Sequence, residues 1–306
     1  MSHSQNNHRL SGVLLVLLAA VGFSAKAIFV KLAYRYGVDS ISLLSLRMLF
    51  SLPFFLLMAW WAGRNQTAAR LTSGDWKLVV AMGIAGYYLS SLLDFLGLQF
   101  ISAGLERLIL FLYPTFVLVI SAVFFKQGIT RRDAIALLLS YAGVVFVFYH
   151  DVQTGQKNVL LGSLLVLASA LTYAIYFIGS GRIVGKIGSL RYSAYATIVS
   201  CIAVLIHFAL TRDLVSLQQP AQVYFLSLLM ALFSTVLPVY FLSEGIRRIG
   251  SSHASMIGFI GPVMTIFLGS LLLGEQVGTT QIIGMVLVLI GVLIISIKPK
   301  TLPLSE

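Results

Sequence analysis

The chain has 306 residues, 58% of them hydrophobic and only 10% charged, and its mean hydropathy is +0.96, a composition that excludes an ordinary soluble domain. The 21 Lys and Arg outnumber the 10 Asp and Glu to give a net charge of +11. With Cys201 as the single cysteine, neither an intramolecular disulfide nor a Cys-rich metal centre can form.

Residues 1–9 are polar, with His3, His8 and Arg9. The apolar stretch that follows resembles a secretory signal, with Ala-x-Ala at Ala25 to Ala27. It continues to Ala33, however, and Leu10 to Leu17 is echoed by Leu160 to Leu167 in mid-chain, where no signal belongs, so the stretch is expected to stay as a first span. Ten spans are predicted, at 11–33, 40–61, 77–100, 104–125, 132–149, 160–183, 191–210, 221–246, 252–273 and 279–297. Each is long enough to cross the hydrocarbon as a helix and none alternates polar with apolar residues, which excludes a membrane β-barrel.

Basic residues favour one side of these spans. With the N-terminus inside, the inner set is Arg9, Arg64, Arg70, Lys77, Lys126, Arg131, Arg132, Arg182, Lys186, Arg191, Arg247, Arg248, Lys298 and Lys300, against Lys31, Arg35, Arg107, Lys157 and Arg212 outside. Both termini are therefore expected in the cytoplasm, with tails at 1–10 and 298–306 and an outer loop at 150–159. Trp60, Trp61 and Trp76 fall at the inner ends of spans, as an interfacial belt requires. The positive charge thus reflects topology, and no nucleic-acid partner is expected.

The two halves repeat. Gly12 aligns with Gly162 and Ala20 with Ala170 at an offset of 150; Gly97 aligns with Gly245, Pro114 with Pro262 and Gly143 with Gly291 at an offset of 148. Five spans per half is an odd number, so the halves, 11–149 and 160–297, must lie in opposite orientations, with a site expected between them. The block from Tyr87 through Gly97-Leu98 and Pro114 to Gly143, and its echo from Tyr240 through Pro262, Leu273-Gly274-Glu275 and Gly291, resembles the EamA-type module of the drug/metabolite transporter superfamily, present twice. Arg47 early in the second span matches that pattern too. The resemblance implies ten helices around a central cavity and export of small metabolites. It departs at Gln127, where the second copy has Glu275, and no transport role is assigned to that glutamate.

Charges inside spans are costly and mark candidate sites. Lys26, Arg47, Asp94, Glu106 and Arg107 all fall in the outer half of the membrane and all come from the first repeat. An Asp94 pair with Lys26 or Arg47 would offset the cost of both ions, while snorkelling of Lys26 and Arg47 and an interfacial place for Glu106 and Arg107 are the structural alternatives. Three cations against two anions suit a carboxylate or a zwitterion. Asp94 leads as a proton-coupling group and Glu106 follows. Tyr113, Tyr173 and Tyr176 are candidate substrate contacts, and Pro114 and Pro262, with Pro53 and Pro238, free backbone carbonyls and suggest hinges. Glu244 is expected to pair locally with Arg247 and Arg248. His207 reads as a packed side chain, His150 and Asp151 as outer-loop residues, and Gly181 with Gly185 and Gly284 with Gly291 as close-packing faces.

These features predict an inner-membrane secondary transporter of a small metabolite, zwitterionic or anionic, exported by alternating access and needing no cofactor or metal. A drug or nucleoside-type exporter is the alternative within transport. An intramembrane enzyme or a non-transporting membrane protein is the alternative outside it, and no catalytic set or phosphate-cradling motif is present to favour an enzyme.

Overall fold

The computed structural model describes residues 2–64, 71–126 and 128–296, without the side chains of 2–9, 251 and 252. Ten helices are long and apolar enough to cross a membrane: α1 Leu10–Tyr34, α2 Ser40–Gly63, α3 Ser73–Gly97, α4 Ala103–Phe125, α5 Arg131–Gln153, α6 Val159–Ile187, α7 Ser189–Thr211, α8 Ala221–Ile249, α9 His253–Leu273 and α10 Thr279–Ser296. No strand occurs among the described residues. The short connections reverse the chain each time, so the face where α1 begins is also the face where α10 ends.

Several boundaries move outward from those predicted. Helix α1 is continuous with a helical segment from Ser2, so the expected tail at 1–10 is helical where described. The expected loop at 150–159 shrinks to 154–158, because α5 runs on to Gln153 and α6 begins at Val159. The reason is local: hydropathy places charged and polar side chains at helix ends outside the spans, yet Lys186, His150 and Asp151 each find partners from within the last helical turn. Arg70, Gln127, Lys298, Lys300 and the 298–306 tail lie outside the described residues, and Arg9 is described by its backbone alone.

Helix contacts obey a pseudo-two-fold rule that exchanges helix n with helix n+5. Helix α1 packs on α8 and α9, as α6 packs on α3 and α4, while α2 pairs with α7 and α5 with α10 across the axis. Glycines make these crossings. A Cβ on Gly97 would meet the carbonyl oxygen of Gly162 at 2.9 Å, and one on Gly245 would meet that of Gly12 at 3.2 Å. A Cβ on Gly143 would meet Val288, and one on Gly291 would meet the backbone of Ser140, both at 2.8 Å. The aligned glycines are therefore points where helix backbones approach closely. Gly181 and Gly185 depart from expectation: among the described residues nothing lies within 4 Å of a Cβ built at either, so this pair marks no close crossing.

The equivalence extends to irregular backbone. Wider, π-type turns occupy Ile84–Leu89 of α3 and Leu232–Val236 of α8, starting 148 residues apart. The helical pattern of α4 breaks at Phe111 and Leu112, just before Pro114, and that of α9 breaks at Phe259, just before Pro262. Helix α2, by contrast, runs unbroken through Pro53. Left-handed backbone ends both α4, at Lys126 with φ 54°, and α9, at Gly274 with φ 73°. Glycine meets that conformation without strain, whereas lysine carries its steric cost.

Candidate functional site

Three helices of the first half converge on one ammonium. Lys26 Nζ of α1 donates to Asp94 Oδ2 of α3 at 2.5 Å and to Glu106 Oε1 of α4 at 2.9 Å. Asp94 is 2% exposed and Glu106 is fully buried. By helix position the two carboxylates sit three residues from the ends of their helices, about 5 Å in, and Lys26 eight residues from its end, about 12 Å in. Lys26 is thus paired with Asp94, not left to snorkel, and Glu106 is interior, not interfacial. The pairing requires α4 to start where it does. Ser102 caps it, accepting from the Leu105 N–H at 3.0 Å, and one turn later Glu106 faces α1.

Arg47 of α2 does not join this triad by an ion pair. Its Nε donates to Thr235 Oγ1, in the wide turn of α8, at 3.0 Å, and its guanidinium lies 5.5 Å from the centre of the Phe95 ring, a cation–π separation. Arg107 neighbours Glu106 in sequence and so leaves α4 on a different side, where its guanidinium rests against Gly261 of α9. A Cβ at Gly261 would come within 2.9 Å of Arg107 Nη2, so the glycine makes room for the guanidinium. Both arginines lie within electrostatic reach of Asp94.

Beside the arginines is a wall of tyrosines. Tyr113, next to the break in α4, packs edge-on against Tyr173 of α6 with ring centres 5.2 Å apart. Tyr173 neighbours Tyr176 at 5.5 Å, and Tyr176 in turn meets Tyr87 at 5.2 Å and Tyr192 at 5.8 Å. Tyr176 fits because Gly86 opposite it has no side chain. Tyr87 and Thr235 stand at the same repeat position, 148 residues apart, each in a wide turn and each touching the other half of the molecule. Wide turns of this kind concentrate at functional sites.

The eight sequence-predicted contact residues thus fall into three neighbouring groups: the Lys26–Asp94–Glu106 triad within the first half, Arg47 and Arg107 within its electrostatic reach and each touching the second half, and Tyr113, Tyr173 and Tyr176 stacked between α4 and α6. Pro114 and Pro262 stand at the breaks of the two helices, α4 and α9, that frame Arg107. Tyr87, Tyr192, Phe95 and Thr235 are further wall residues that pattern reading missed. The only sequence trace of Thr235 is its offset of 148 from Tyr87.

A second polar region lies at the face opposite the chain ends, around a cavity of about 550 Å³ that includes Lys31, His150, Asp151, Glu275 and Gln281 in its lining. Asp151, expected in a loop, is buried in the last turn of α5 and accepts from the Ser102 N–H at 2.7 Å and the Ser102 hydroxyl at 2.8 Å. Glu275 accepts from the Ala103 N–H at 2.9 Å and lies 3.6 Å from Lys31. Two carboxylates from distant segments thus satisfy the first N–H groups of α4, a use that complements its dipole. His150 is also interior, with Nε2 2.9 Å from the Gln276 carbonyl oxygen.

The remaining polar residues behave as expected. Glu244 accepts from Arg247 at 2.6 Å and from Arg248 at 2.7 Å, and His207 shares a 3.0 Å hydrogen bond with Tyr88. No group of three His, Cys, Asp or Glu able to hold a metal occurs among the described residues.

The pattern of the EamA-like transporter family matches residues 10–149 and again residues 160–297. The uncharacterized transporter YcbK of Bacillus subtilis (strain 168) is 33% identical over 281 residues, covering 90% of this chain and 89% of that one. An uncharacterized transporter of Archaeoglobus fulgidus is 25% identical over 268 residues, covering 86% and 92%. A crystal structure superposes with a TM-score of 0.63 over 93% of this chain and 96% of the other at 16% identity, a likeness of fold alone. This chain is an integral membrane protein and belongs to the EamA-like transporter family.

Proposed function

We propose that this membrane transporter moves a small anionic or zwitterionic metabolite outward through the inner membrane, by rocking its two inverted halves about the region between them. The observation that carries this reading is the convergence of Lys26, Arg47, Asp94, Glu106 and Arg107 between the halves, beside the tyrosine wall. Both chain ends are assigned to the cytoplasm by the distribution of Lys and Arg. The breaks at Pro114 and Pro262 supply equivalent flexible points in the two halves. Transport is coupled to protons through the triad, with Asp94 the leading carrier and Glu106 the second, because two carboxylates sharing one ammonium allow one of them to exchange a proton without leaving the cation unpaired.

A thermal-shift screen of metabolites on the purified chain, followed by counterflow of the hits in proteoliposomes, tests transport. Accumulation of labelled hit against preloaded unlabelled hit is expected; ligands that bind yet never flux would contradict the reading. Coupling is tested in everted vesicles. If Asp94→Asn flux still follows an imposed pH gradient as the parent does, Asp94 is not the carrier.

A further inference from the structure

Charge and unused hydrogen-bonding capacity in this site are unequally divided. Lys26 is engaged by both carboxylates, so three cations against two anions leave one positive charge without a counter-ion in a region where uncompensated charge is costly. The open capacity on the cationic side is specific. Arg47 Nη1 and Arg107 Nε are buried with no partner among the described residues. Arg47 itself is 6% exposed. A guanidinium matches a carboxylate in both geometry and charge. Asp94 Oδ1 and Glu106 Oε2 are also unpartnered, but they belong to carboxylates already bound to Lys26 and sealed to 2% and 0% exposure.

The tyrosine wall supplies the second half of a recognition surface. Tyr113 and Tyr173 lie within electrostatic reach of Arg107, and Tyr87 within reach of Arg47. All three residues are half-buried, so each keeps part of its surface uncovered. Aromatic faces and edges receive another aromatic ring with defined geometry.

From this division of charge and ring surface we infer that the substrate is a monoanionic aryl carboxylate without an amine, its carboxylate held by Arg47 and Arg107 and its ring against Tyr87, Tyr113 and Tyr173. The inference rests on the transport reading above only in taking this region as the substrate site. One anion cancels the surplus positive charge. A zwitterion leaves it in place and adds an ammonium whose natural partners are already held by Lys26.

Isothermal titration of the purified full chain with four probes of similar size tests this: 3-phenylpropanoate, phenylalanine, 3-cyclohexylpropanoate and 3-phenylpropylamine. The first is expected to bind at least tenfold more tightly than each of the others. Arg107→Gln should reduce its affinity tenfold or more, with partial recovery in Arg107→Lys. The double variant Tyr113→Leu/Tyr173→Leu should erase the preference for the phenyl over the cyclohexyl acid. Should a variant fail to fold, the selectivity of the parent still decides. Phenylalanine binding as tightly as 3-phenylpropanoate, or no binding by any of the four, overturns the inference. Counterflow separates the two claims: binding with the expected selectivity but no flux removes the transport reading alone, and flux without aryl-carboxylate preference removes this one alone.

Discussion

Replacing Lys26 by methionine keeps most of the side-chain volume and removes the only cation within ion-pair distance of Asp94 and Glu106 among the described residues. Asp94 and Glu106 are 2% and 0% exposed, and neither Asp94 Oδ1 nor Glu106 Oε2 has another partner to fall back on among the described residues. Breaking a buried pair by deleting one member costs about 3–5 kcal/mol, because an uncompensated charge stays behind. Lys26→Met is therefore expected to lose at least about 3 kcal/mol, a large part of the roughly 5–15 kcal/mol that stabilises a typical folded domain. The triple variant Lys26→Met/Asp94→Asn/Glu106→Gln removes the stranded charges and should recover most of the loss, although it should not transport. Chemical denaturation in detergent micelles, with transport measured in parallel, gives both readouts. A Lys26→Met protein as stable as the parent, or a triple variant no more stable than the single one, would refute the triad as described.

Glycine substitutions separate helix crossings from uncrowded helix surface. Gly143→Ala should destabilise by about 1–3 kcal/mol through overpacking against α10, while Gly181→Ala, with open space around it, should be neutral or stabilise by about 0.5–1 kcal/mol; thermal melting ranks the two. Glu275→Ala should cost about 1 kcal/mol by uncapping α4, and Glu275→Gln should keep most of the cap. If Glu275→Gln melts as low as Glu275→Ala, the contact with Lys31 matters more than the cap. Asp39 caps α2 by accepting from the N–H groups of Ile41 and Ser42, so Asp39→Ala should cost about 1 kcal/mol. Partial burial pushes its carboxyl up, but hydrogen bonds from Ser42 and Arg212 outweigh that and hold it below the ordinary range. Its contribution is therefore full at neutral pH and fades as pH falls through the lowered value, so melting of the parent and of Asp39→Ala should converge in acid.

The architecture was largely legible because its signals are periodic or rare. Long apolar runs gave ten helices, and aligned glycines and prolines gave the repeat; the same glycines proved to be the crossings. Lys26, Asp94 and Glu106 could be singled out because charge in an apolar span needs a reason, although the sequence left Lys26 and Arg47 equal as partners for Asp94. Geometry separates them, since Arg47 faces the Thr235 hydroxyl. The wide turns that present Tyr87 and Thr235 leave no mark on hydropathy. The Gly181 and Gly185 spacing says that two small residues share a helix face, not which way that face points. Asp151 reads as an outer-loop residue and Glu275 is given no role, because the N–H groups they accept from, at the start of α4, are 49 and 172 positions away from them in the chain.

Access to the site from both sides of the membrane is the central claim, and one cysteine can test it. In a Cys201→Ser background, which removes the only native thiol and a buried one, Tyr113→Cys places a thiol beside Arg107 and the break in α4. A membrane-impermeant maleimide is applied to right-side-out and to everted vesicles. Alternating access predicts that the thiol reacts from both faces, with 3-phenylpropanoate slowing both reactions. Reaction from one face only, unchanged by a pH gradient in either direction, would contradict it.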